Sequence, residues 1–124
     1  MFDKLFPNVP KAPKGTVYTY ADGAANVYYV TPNLIEYSPM TPERSSSGFY
    51  SGGDPASATI TKEQFKELKT LFEEAIKNTE DQIENRVKGS GNLRYKLWPK
   101  SYNFAYNSPT QQGIEAGLKK LLYA

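Results

Sequence analysis

Residues 16–38, TVYTYADGAANVYYVTPNLIEYS, decide the fold. Val17 and Thr19 alternate with Tyr18 and Tyr20 up to Asp22-Gly23. Val27 and Tyr29 then alternate with Tyr28 and Val30, Thr31-Pro32-Asn33 supplies a turn, and Leu34–Ser38 resumes the period of two. Branched and aromatic side chains at this spacing favour strands, because they stand on either side of a pleated backbone and pack there. The segment reads as three antiparallel strands. Since both faces carry bulk, one face is expected to meet helices and the other to be half-covered.

Downstream lies PMTPERSSSGFYSGGDPAS, residues 39–57, read as a loop. A plain flexible linker gains nothing from adjacent aromatics, so Phe49 and Tyr50 mark an ordered loop that packs on a core, a ligand or a partner. After it, Thr61 and Gln64 make a capping box, and apolar residues recur at Phe65, Leu68, Phe72, Ile76, Ile83 and Val87. This predicts a helix over 62–88 stopped by Gly89, about 40 Å long if unbroken. Asn78-Thr79 are poorer helix formers and Thr79 with Gln82 repeats the cap pattern, so a break there is the alternative.

The period returns to two in LRYKLWP, residues 93–99, where Leu93, Tyr95 and Leu97 alternate with Arg94, Lys96 and Trp98 in a predicted fourth strand ended by Pro99. A last helix opens at Ser108, with Pro109 at its first position, and aligns Ile114, Leu118, Leu121 and Leu122; Lys119 and Lys120 suit its negative end. The order β-β-β-α-β-α gives an α+β expectation: two layers, a mostly antiparallel four-stranded sheet, and one long and one C-terminal helix on one face. Residues 1–15 hold Pro7, Pro10 and Pro13 and read as an extended arm preceding a single domain over 16–124.

Composition narrows the function classes. The 124 residues carry fifteen basic and thirteen acidic side chains, a net charge of +2 that supplies no general attraction to nucleic acid or anionic membrane. Ten tyrosines, six phenylalanines and one tryptophan suit a core with tyrosines at its margin. Cysteine and histidine are absent, which removes disulfides, thiolate or imidazole metal sites and the Ser-His-Asp triad. Neither a metal nor a cofactor is expected. The opening MFDKLFPNVPKAPKG lacks the apolar run of a signal peptide, and the cytoplasm is the expected location, with no membrane contact.

The candidate binding residues are Arg44, Ser45, Ser46, Ser47, Gly48, Phe49, Tyr50, Ser51, Gly52, Gly53 and Asp54. Serines and glycines there permit a nest of inward N–H groups near a helix N-terminus, with Arg44 as a bidentate anchor for an anion. The string is neither GxxxxGK[ST] nor GxSxG, so no nucleotide loop or nucleophile elbow is present. Glu36, Glu43 and Asp54 flank the loop as ordinary carboxylates or as an acid and base pair. Glu73, Glu74, Glu80, Asp81 and Glu84 stand among lysines at helical spacing, the pattern of a solvated face. Arg94 to Lys100 interleaves cations with aromatics as single-strand nucleic-acid platforms do, and equally as an edge strand does.

Three function readings follow. The leading one is a non-catalytic interaction module that uses residues 44–54, with a protein partner or a second copy of the chain as ligand. The alternative is a small enzyme or sensor that takes an anionic metabolite at that loop. The third, a single-strand nucleic-acid binder through Arg94, Tyr95, Lys96 and Trp98, lacks a full basic footprint.

Overall fold

The computed structural model describes residues 12–45, 47–96 and 101–123. Strands β1 (Tyr18–Ala21), β2 (Val27–Thr31) and β3 (Leu34–Ser38) form the expected meander, followed by β4 (Ala56–Thr59) and helix α1 (Lys62–Lys77). A short 3-10 turn (Thr79–Asp81), β5 (Gln82–Ile83), β6 (Gly91–Tyr95), β7 (Ser101–Phe104) and helix α2 (Pro109–Leu122) complete the chain. The strands make one antiparallel sheet in the order β4-β3-β2-β1-β6-β7-β5, seven strands where four were expected. β4 is ASAT, too small and weakly alternating to register as a strand, and pairing with β3 supplies what its propensity lacks. β5 has two residues and β7 follows Pro99, so neither carries a period long enough to read.

The sheet's inner face is set by the phase of β1 and β2. Tyr18, Tyr20, Tyr28, Val30, Ile35, Tyr37 and Leu93 are all buried. Tyr18 meets the rings of Phe65 and Phe72 on α1, while Tyr20 donates to Glu115 on α2, so both helices lie on this one face. Tyr18, Tyr20, Tyr28 and Tyr37 therefore belong to the centre of the core and not its margin, where Tyr29 does stand half-buried. On the opposite face one row crosses the sheet through Glu36, Tyr29, Thr19 and Arg94, half-buried except for Arg94, in line with the expected half-covered side.

Helix α1 begins as predicted, with the reciprocal Thr61 and Gln64 capping box. It ends at Lys77 and not at Lys88, a length of about 24 Å for 16 residues. The Asn78 N–H folds back to Glu74 and Ala75, and the Gln82 carboxamide donates to the carbonyls of Ala75 and Ile76, so the break foreseen at Asn78 is closed by a side chain. Ile83 falls in β5 and Val87 is exposed, so their helical register is coincidental. Gly89 does take a left-handed φ of 86°, but within a turn at 87–90 that Ser90 locks by hydrogen bonds to Val87. The acidic cluster is divided accordingly: Glu73 and Glu74 stay on α1, while Asp81 accepts from the backbone and hydroxyl of Thr110 and ties the turn to α2.

Strand β6 starts earlier than expected and gives way at Lys96, whose φ is 53°. Leu97, Trp98, Pro99 and Lys100, and residues 1–11 of the predicted arm, lie outside the described residues. Helix α2 opens at the Ser108 cap with Pro109 at its first position, buries Gln111, Ile114, Leu118 and Leu122, and packs on α1, β3 and β4.

Candidate binding surface

The loop joining β3 to β4 is built by its own side chains. The Thr41 carbonyl accepts from the N–H groups of Arg44 and Ser45, and the Arg44 guanidinium donates to the Pro39 carbonyl at 2.8 Å. Ser45 Oγ accepts the Gly48 N–H, Ser47 Oγ those of Phe49 and Tyr50, and Ser51 Oγ that of Gly53. The donors a nest would aim at an anion are thus taken within the loop, and Arg44 is turned inward. β4 also separates the loop from the α1 N-terminus, so the expected approach to that helix end does not occur. Ser46 lies outside the described residues.

What fastens this loop to the body is Asn26, which the sequence reading passed over. Its side-chain oxygen accepts the Met40 N–H at 2.7 Å, and its amide donates to Asp22 and to the Tyr50 hydroxyl at 3.0 Å each. Asp22 in turn accepts from the N–H groups of Ala24 and Asn26. Gly52 sits against this group: its N–H donates to Met40, its carbonyl accepts the Tyr37 hydroxyl, and a side chain there would overlap Asn26. The signal available in sequence was an Asp-Gly turn closed by an Asn, an arrangement whose side chains habitually bond nearby backbone. Replacing Asn26 by Ala strands the buried end of this network, with an expected loss of about 2–3 kcal/mol. Chemical denaturation reads that loss, and amide exchange should rise across residues 39–55; an unchanged midpoint sinks the assignment.

Outside this network the loop presents its tip. Phe49 is 90% exposed and Tyr50 40%, while Ser47, Gly48, Ser51, Gly53 and Asp54 are exposed as well. Glu43 and Asp54 are exposed, and Glu36 is half-buried on the outer sheet face opposite Tyr29.

Beside Tyr50 opens a cleft of about 380 Å³ between the Asp22–Asn26 turn, the 87–90 turn and the start of α2. The Tyr20 hydroxyl donates to Glu115 Oε2 at 2.8 Å at one wall, and burial, then the neighbouring Glu115 carboxylate, hold its proton well above the ordinary phenol range. Gln111 ties α2 to this region by donating to the Gly89 carbonyl and accepting the Asn107 N–H. The two turns touch so closely that a Cβ on Gly23 would fall 2.4 Å from the Gly89 carbonyl oxygen, and the Tyr106 ring covers Gly89 from outside.

The cation and aromatic string of β6 is split by the strand's alternation. Tyr95 leans on the Tyr18 ring at 5.3 Å with Lys96 over it, whereas Arg94 projects from the other face. Among the described residues no group of three acidic or other ligating side chains is placed to hold a metal ion, and no helix is long and apolar enough to cross a membrane. No family model, curated protein or solved structure matches the chain.

Proposed function

We propose that the protein is a non-catalytic interaction module that holds a protein partner on the loop of residues 44–54, with Phe49 as the anchor. One observation carries this reading: a loop fixed by hydrogen bonds from Asn26, Tyr37 and Arg44 keeps Phe49 90% exposed. A solitary exposed apolar residue needs no explanation on a mobile segment. Here the backbone entropy is already spent in the free protein, so a partner that buries the ring orders little else, and large aromatics in that setting dominate binding energy. The ring cannot serve folding where it stands. The cytoplasm is proposed as its location, which the absence of cysteine suits.

A benzophenone amino acid placed at position 49, compared with the same group at Glu74 on the exposed side of α1, tests this directly. Illumination in the source cells should yield a discrete higher-mass adduct from position 49 and none from position 74, and excess Phe49→Ala protein should fail to compete it away. Equal labelling from both positions, or none from 49, overturns the reading.

A further inference from the structure

We infer that the cleft beside Tyr50 is a separate small-ligand site, and that it takes a neutral polyhydroxylated ligand, a saccharide of one or two rings. Its volume, about 380 Å³, falls in the range of small-molecule sites. The lining decides the chemistry by what remains unspent on it.

An anion finds few donors. Although the cleft opens on the first turns of α2, the Thr110 N–H is held by Asp81, that of Gln111 by Ser108 Oγ and that of Gln112 by the Ser108 carbonyl. Two carboxylates, Asp22 and Glu115, also line the space. A cation is served little better: Asp22 already accepts three N–H bonds, and Lys88 also lines the space, a single positive residue beside the two carboxylates that discourage an anion. What is left is a mixed and mostly uncharged set. Glu115 spends one oxygen on Tyr20, Gln112 spends its amide nitrogen on Asn107 and keeps its oxygen, and Tyr50 accepts from Asn26 and keeps its proton. The cleft is also lined by Tyr50 and Tyr106, 40% and 72% exposed.

A sugar matches this combination group by group. Its hydroxyls each donate and accept, so they use carboxylate, carboxamide and phenol partners together. Its C–H faces are weakly positive and lie against the negative face of an aromatic ring. An apolar ligand would strand the free carboxylate and amide oxygens, at a cost that excludes it.

The test is a ¹H–¹⁵N NMR titration of the full chain with glucose, galactose, N-acetylglucosamine, cellobiose and maltose, each to about 50 mM, with inorganic phosphate and arginine as charged probes. At least one sugar should shift the amides of Gly23, Ala24, Gly89 and Asn107 saturably, and more than either charged probe. Tyr106→Ala should weaken it about fivefold to tenfold by loss of the ring face. Glu115→Gln, which keeps an acceptor for Tyr20, should weaken it by a similar factor. Phe49→Ala should leave these shifts unchanged, which keeps this site distinct from the partner surface. A disaccharide that binds tighter than its monosaccharide marks a site for a glycan chain, and equal affinity marks one for the free sugar. Silence with every sugar, or a larger response to phosphate or arginine, overturns the inference.

Discussion

Raising the pH from about 10 to about 12 is expected to unfold the protein in one cooperative step in which its buried tyrosines ionise together. Tyr18, Tyr20, Tyr28 and Tyr37 are each at most 7% exposed, and burial is the main reason each phenol holds its proton beyond the ordinary value of 10.0. Tyr18 is pushed up to about 12 by burial, then by Glu73 and Tyr95, and Tyr37 to about 12 by burial, then by Asp22, Tyr50 and Tyr123. Tyr20 and Tyr28 are raised further: at Tyr20 Glu115 adds most to the burial effect, and at Tyr28 Tyr37 adds most, followed by Asp22.

The direction follows from proton counts. Above about pH 10 the unfolded chain releases phenolic protons that the folded chain keeps, so each further pH unit favours unfolding by about 1.4 kcal/mol per tyrosine. Four such groups lose about 5–6 kcal/mol per unit, against a total stability of about 5–15 kcal/mol. This contribution is intact below pH 10 and disappears as the pH climbs toward the folded-state values. The tyrosinate absorbance of the buried rings should therefore appear in the same step as the loss of far-ultraviolet circular dichroism, moved to higher pH by Tyr28→Phe. Smooth ionisation of all the tyrosines with the helical signal intact would show that the rings are not held in the core as described.

Phe72→Ala should cost about 3–5 kcal/mol, the largest loss from truncating a side chain of α1. Phe72 is fully buried, its ring centroid lies 4.5 Å from that of Tyr18, and it stands between Leu68 and Ala75 on the helix face that meets the sheet. Removing it leaves a hole between α1 and β1 that the rigid tyrosine rings cannot close, since their positions are fixed by pairing along β1 and β2. For a chain of this length the melting temperature should fall by about 12–20 °C. Phe65→Ala removes a ring only partly buried, 6.5 Å from Tyr18, and should cost about half as much. Equal losses from the two truncations, or a fall below about 1 kcal/mol for Phe72→Ala, would contradict the packing.

Much of this architecture was legible because its signals are local. The meander of β1 to β3 and the caps at Thr61 and Ser108 depend on neighbours within a few residues, and each appears where the pattern placed it. The elements that escaped reading are held from a distance. β4 is a strand because β3 offers it a ladder, β7 because β6 does, and α1 ends where Gln82 reaches back to its last carbonyls. The surface followed the same division. Phe49 and Tyr50 stood out in the sequence as aromatics set among serine and glycine, whereas the cleft is assembled from Asp22, Tyr50, Gly89, Tyr106 and Glu115, contributed by four separate stretches that no spacing connects.

The pairing of β1 with β6 sets the order in which the molecule can be completed. Tyr18 lies opposite Tyr95, so the middle of the sheet is closed by residues 77 positions apart, while the pairings of β1 with β2, β2 with β3 and β3 with β4 each join strands adjacent in sequence. As the chain leaves the ribosome, the meander and α1 are available before β6 exists, and one side of β1 stays an open ladder until residue 95 has emerged. Closing so long a loop is slow compared with forming a hairpin or a helix. The nascent protein therefore passes through a half-sheet with an unpaired tyrosine-rich edge, and its safety from self-association during synthesis depends on how quickly its last third arrives.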